Sequence, residues 1–245
     1  MSIVSSLAHA RENGRIIREV ISADVWERLN YYHLWLRAPE ARRAFLASRT
    51  DFYAQVKRIS QLLCGIANAT MSHGEPWDFL RLGTHLERAS QTARILDVKY
   101  HMLLASPADV GSPVDTAQWS AILTSCSGYE PFHQTPRLAP ADLGVAVAGF
   151  LLFDPPFPRS VRHCLGRCQS AMRAVGRGGG THADAALAEL VDWMDGRNIN
   201  RVVADGLHEG LTHVVDGIHA VGDAVGRSYF HAAVGQGQSQ SQTAA

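Results

Sequence analysis

The chain has 245 residues, 46% of them apolar, and its Lys and Arg balance its Asp and Glu at 23 each. That suffices for one large domain or two small ones with a buried core, while zero formal charge provides no global field to gather nucleic acid or an anionic membrane. Apolar runs stay short of the roughly 18 residues a membrane span needs, and MSIVSSLAHARENGR acquires charge too early for a signal peptide, so a cytoplasmic location is expected.

In chain order the pattern is helix after helix. Residues 2–21 carry Ile3, Leu7, Ala10, Gly14, Ile17 and Ile21 on one stripe. Ser22 caps a second helix, with Val25, Trp26, Leu29, Tyr32 and Leu36, that stops before Pro39. Pro39 opens a short piece through Phe45, and Thr50 is expected to cap a third long helix with Phe52, Val56, Ile59, Leu63 and Ile66. A fourth runs from Pro76 to Leu104 on Phe79, Leu82, Leu86, Ala89, Ala93 and Leu96. SPADVGSP (106–113) reads as a loop, followed by helices over 116–129 and from Pro140 to Phe153. DPPFP (154–158) is a rigid corner before a helix to Val175, and GRGGG (176–180) is a flexible break. Two more helices are expected, 183–195 and 199–231, the second containing Gly206, Gly210, Gly217 and Gly222, which permit close backbone approach. The expected fold is all-α, an antiparallel bundle over 1–233 with a disordered polar tail over 234–245. A faint internal echo pairs SIVSSL (2–7) with SVRHCL (160–165).

Motifs for chemistry are sparse. HEGLTH (208–213) spaces its histidines by five, which places the rings about 140° apart and defeats a zinc site. Glu130-x-x-His133 and Asp216-x-x-His219 match the carboxylate-x-x-His spacing of di-iron bundles, but the further bridging glutamates are missing. Cys64, Cys126, Cys164 and Cys168 form no CxxC pair and are expected as buried free thiols. There is no GxSxG, Walker A or GxGxxG. No metal and no cofactor is expected.

The remaining signal is polar pairing along helices. Glu12, Arg15 and Glu19 lie at helical spacing, with Arg11 and Arg18 nearer the apolar stripe. On the fourth helix Asp97 and Arg94 approach the stripe, while Glu87 and Arg88 lie farther from it. Such charges can be exposed pairs worth about 0.2–0.5 kcal/mol each, or a partly buried seam that sets register or binds a carboxylate or phosphate. The expected division makes Asp97 and Arg94 scaffold, partly buried and paired, and Glu87 and Arg88 functional surface.

ARENGRIIREVISADVWERLN (10–30), TMSHGEPWDFLRLGTHLERASQTARILDVKYHMLL (70–104) and FLLFDPPFPRSVRHCL (150–165) resemble the alpha-E domain family, strongly over 2–175 and loosely beyond. The resemblance implies an all-helical bacterial protein of unknown function. It also implies gene neighbours of circularly permuted ATP-grasp and transglutaminase-like type, hence a role in making or processing a peptide or amide linkage. It points to Arg11, Glu12, Arg18, Glu19, Glu75, Arg81, Glu87, Arg88 and Asp154 without assigning a reaction. Gly14 and Thr84 depart from the family pattern, which has Ala at the first and often Arg or Asn at the second. Because family members carry an earlier LERAxxTARxLDV-like block and corner, the resemblance further implies a duplicated bundle truncated at its front. Part of the first stripe would then be exposed, and the chain would dimerise, recruit a front fragment or aggregate. The expected function is an accessory binding component; the alternative is an enzyme using a Glu/Arg pocket.

Overall fold

The computed structural model describes residues 2–103, 111–134, 143–175 and 181–230, and the chain divides into two compact units after Trp77. Among the described residues all regular structure is helical, twelve α-helices and one π-helical turn. No described helix is long and apolar enough to cross a membrane. The expected break at 176–180 and the tail at 234–245 lie outside the described residues. Of the loop expected at 106–113 only Gly111 onward is described, and Pro113 already opens a helix.

The first unit holds α1 (Ile3–Ile16), α2 (Ala23–Arg37), α3 (Pro39–Ala47) and α4 (Arg49–Thr70). Serines punctuate it. Ser2, Ser22 and Ser48 accept hydrogen bonds from the backbone N–H three residues on, at 3.1, 3.2 and 3.2 Å, satisfying donors that a helix start leaves orphaned. Pro39 sits at the first position of α3, where its missing N–H is harmless. The cap of α4 is therefore Ser48, not Thr50. The expected helix 2–21 also ends early, at Ile16, with the Ile17 N–H closing on the Asn13 carbonyl at 3.1 Å. Four of the six residues 16–21 are β-branched, which weakens helix continuation, and Ser22 must be extended to cap α2. Ser22 Oγ lies 2.6 Å from Thr70 Oγ1, and Trp35 stacks on Phe52 at 6.0 Å, so α2 and α4 run antiparallel. Gly14 is buried, and a Cβ there would lie 3.0 Å from Leu29 Cδ2. This close approach of α1 and α2 is the physical reason for the glycine. The first stripe turns only partly inward: Ile3 on α1 is 38% exposed and Ile17, just past its end, 46% exposed.

The second unit begins three residues into α5 (Glu75–Leu103) and continues through α6 (Pro113–Ser125), α7 (Tyr129–Gln134), α8 (Leu143–Phe153), α9 (Val161–Val175), α10 (His182–Asp195), α11 (Ile199–Asp205) and α12 (Leu207–Val225), then the π-helical turn Gly226–Phe230. Here the stripe of α5 is inward as expected, with Leu82, Leu86, Ala89, Ala93 and Leu96 buried. They join one core with α6, α8, α9, α10 and α12. α8 is apolar nearly all round and is buried accordingly, through Val147, Ala148, Phe150, Leu151 and Leu152. Two expected helices are broken. The helix over 116–129 stops at Ser125, because Ser127 takes φ 53° and Gly128 lets Phe150 and Phe157 approach to within 3.0 Å of where a Cβ would stand. The helix over 199–231 is interrupted at Gly206, whose φ of 109° suits glycine and few other residues. Cys126, Cys164 and Cys168 are buried free thiols as expected, whereas Cys64 is exposed on α4.

Candidate functional site

Each unit arranges its share of the candidate residues separately. In the first, Arg11 and Arg18 approach the Trp26 ring, their guanidinium carbons 5.7 and 5.6 Å from its centroid. Arg11 lies on α1 and Arg18 in the turn that follows it, and each gains a cation–π contact. Arg11 Nε also donates to Asn30 Oδ1 at 3.1 Å. Glu12 is exposed and accepts from Arg15 Nε at 3.0 Å, and that hydrogen bond holds its carboxyl below the usual range. Glu19 and Glu75 are exposed, and neither joins this constellation.

The second unit builds a denser arrangement where α5 meets the DPPFP corner. Asp154 Oδ1 accepts the Phe157 N–H at 3.0 Å, and Ser160 Oγ donates to the Asp154 carbonyl at 2.5 Å. This Asx-type turn leaves the corner's carbonyls pointing outward. Three side chains take them up. His163 Nδ1 donates to the Pro155 carbonyl at 2.8 Å, Arg88 Nη1 to Pro158 at 3.4 Å, and Thr92 Oγ1 to Arg159 at 2.8 Å. Arg88 and Thr92 are four residues apart on α5 and so grip the corner from one face. Arg88 therefore contributes to scaffold as well as surface. Glu87, one residue earlier, is exposed and accepts from Gln91 Nε2 at 2.7 Å. Arg81 pairs with the buried Asp78 at 3.3 Å.

The sequence reading missed His85. It is half-buried on α5, 6.3 Å from the His163 ring, and its Nδ1 is enclosed with no hydrogen-bond partner among the described residues. Burial first, then the charges of Arg88, Arg167, His163 and Arg81, push its pKa down to about 4. At neutral pH it is an uncharged imidazole whose neighbours include the guanidinium groups of Arg88, Arg167 and Arg81. Its place three residues after Leu82 and one before Leu86, at the edge of the stripe, was the available signal.

Elsewhere on α5, the Asp97 Oδ1 accepts from His208 Nδ1 at 2.7 Å, and Arg94 Nη2 donates to His219 Nε2 at 3.1 Å, tying α5 to α12. Asp97 is partly buried as expected; Arg94 is exposed, though engaged. Both histidines figured in the motifs considered above. His208 is committed to Asp97, while His213 stacks on Trp193 at 4.5 Å. Lys99 was also missed. It is 5% exposed, and its ammonium donates to Asp115 at 2.6 Å and Gln118 at 2.8 Å beside the Trp119 ring. Three residues beyond Leu96, it continues the buried stripe, and a buried ammonium needs such partners.

The fold and these contacts define an all-α protein among the described residues, and its helix α5 uses one face for core and its flanks to grip neighbouring segments. The chain belongs to the Alpha-E family, described as a predicted alpha-helical domain with a conserved ER motif, whose model matches residues 1–230. That match extends past the region where the resemblance was strong. The chain contains two Glu-Arg dipeptides, Glu27–Arg28 on α2 and Glu87–Arg88 on α5. No protein of curated function and no solved structure matches it.

Proposed function

We propose that the chain is a binding component that presents a carboxylate-bearing, peptide-like ligand to an ATP-grasp ligase-like enzyme and a transglutaminase-like partner. The observation that carries this reading is the half-buried His85, its Nδ1 enclosed without a partner among the described residues and its ring 6.3 Å from that of His163, with Arg81, Arg88 and Arg167 as its charged neighbours. Guanidinium groups favour bidentate carboxylate contacts, and a neutral imidazole still offers one N–H. Binding is favoured over catalysis because the carboxylates expected to act as acids or bases are already engaged, Glu12 with Arg15 and Glu87 with Gln91. Burial also pushes the Cys126 and Cys164 thiols up to about 11, far from nucleophilic thiolates.

Calorimetric titration of the full chain with a glutamyl-glutamate dipeptide tests the ligand class. The dipeptide should bind, its fully amidated analogue should bind at least about tenfold more weakly, and R167Q should lose a similar factor without a change in Tm. Equal binding of the two peptides would remove the carboxylate reading. Co-purification with the two partner types tests the assembly, and failure to retain either would remove it.

The resemblance also reads the bundle as duplicated. In the echoed segments SIVSSL and SVRHCL the leading Ser2 and Ser160 each accept the N–H three residues on at 3.1 Å, a cap that Ser22 and Ser48 also make. S2A and S160A should each lower stability by about 1 kcal/mol in urea titrations, and a loss confined to one would leave the equivalence without support.

A further inference from the structure

A groove of about 430 Å³ runs between α2 and α4 in the first unit. From α2 it is lined by Arg28, Tyr31, Tyr32 and Trp35, and from α4 by Gln55, Arg58, Ile59 and Leu62. Each helix contributes positions spaced by three, four and seven, one face over two turns. The groove therefore runs about 10 Å along both helices. Part of its apolar lining remains in water, with Tyr31 57% and Leu62 45% exposed, while Ile59 forms its buried floor. Arg28 and Arg58 stand one on each wall, and among the described residues neither has an ion-pair or hydrogen-bond partner. Residues 1–77 carry ten Lys and Arg against seven Asp and Glu.

We propose that this groove seats an amphipathic helix of a partner protein, its apolar ridge between Tyr31, Trp35 and Ile59 and its acidic flanks against Arg28 and Arg58. Two antiparallel helices presenting matched faces form the trough into which the ridge of a third helix packs. Tyr, Trp and Arg are the residues that most often anchor such contacts. Two unpaired guanidinium groups on opposite walls call for carboxylates on both flanks of the incoming helix. The inference is independent of the carboxylate site on α5, since none of that site's residues lines the groove.

The test uses the full chain and a fluorescein-labelled helical peptide with leucines on one face and glutamates on its flanks, beside the same peptide with lysines in place of the glutamates. Anisotropy should show the acidic peptide bound at least about tenfold more tightly than the basic one. The charge-reversed R28E/R58E chain should invert that preference, and Y31A should weaken the acidic peptide's binding. Both arginines are exposed, so unchanged far-ultraviolet dichroism is expected for the double variant. The inference is overturned if the two peptides bind alike, or if charge reversal leaves the preference untouched. It is also overturned if light scattering finds a dimer of the 26.7 kDa chain that R28E/R58E splits, because the occupant would then be a second copy.

Discussion

Arg88 and Glu87 are adjacent in sequence yet meet different surroundings. Arg88 reaches the Pro158 carbonyl and Glu87 faces water, where its partner is Gln91 of the same helix. E87A should accordingly change stability by less than about 0.5 kcal/mol. Thr92, 2% exposed, is the firmer half of the grip on the corner. T92V keeps the shape but orphans the Arg159 carbonyl, and should cost about 1–2 kcal/mol in urea titrations. The Asp97–His208 pair brings pH into play. The hydrogen bond from His208 to Asp97 raises the histidine's pKa above its ordinary 6.5. Its stabilising contribution is complete below that ordinary value and is lost as pH rises through the raised one. Tm should therefore fall as pH rises through and above neutrality, and D97N should remove that limb. His85 has the opposite sign. Because its folded pKa is about 4, its contribution is lost as pH falls from 6.5 towards 4, and D97N should leave that acid limb in place.

Among the elements, α12 shows how one residue type serves different ends. A Cβ at Gly217 would meet Leu190 Cδ1 at 2.8 Å, and one at Gly210 would meet Val202 Cγ1 at 2.7 Å. These two glycines let α12 pack closely on its neighbours. Gly222 has open space where a Cβ would be, and Gly206 breaks the chain direction with its positive φ. G222A should stabilise by about 0.5–1 kcal/mol, through helix propensity alone. G206A should cost about 1–3 kcal/mol, because the backbone there is strained for any residue with a Cβ. G217A should also destabilise, by overpacking against Leu190. Chemical denaturation of the three variants separates these effects, and a G222A that destabilised would overturn the reading of that position as empty space.

At the scale of the molecule, the two units are unequally cored. Among the described residues, those up to Trp77 bury six apolar side chains, two of them alanine, whereas the main core cluster draws on residues 82–225. Local opening costs less where few apolar contacts are lost. Amides of α1, α2 and α3 should therefore exchange with solvent faster than those of α8, α9 and α12, a difference that hydrogen-exchange mass spectrometry reads directly. Equal protection across both units would contradict it.

The sequence by itself determined the all-α class, the corner at 154–158 and the inward stripe of α5. These follow from local periodicity and from proline, which act within a few residues. It also singled out Arg11 and Arg18, because charged residues set close to an apolar stripe need partners, while Arg81, Arg88 and Asp154 were indicated by the family resemblance. What each of them touches was decided by tertiary structure. Spacing along α5 cannot reveal that Arg88 and Thr92 meet carbonyls some seventy residues away, or that His85 meets Arg167 and His163 of α9. Nor could periodicity place the stops at Ile16, Ser125 and Gly206. There β-branched residues, an aromatic packing contact and a positive φ outweigh an otherwise continuous helical pattern. The groove between α2 and α4 belongs to the same class: its two walls are each legible as helical faces, but only their antiparallel approach brings Arg28 and Arg58 to opposite sides of one cavity.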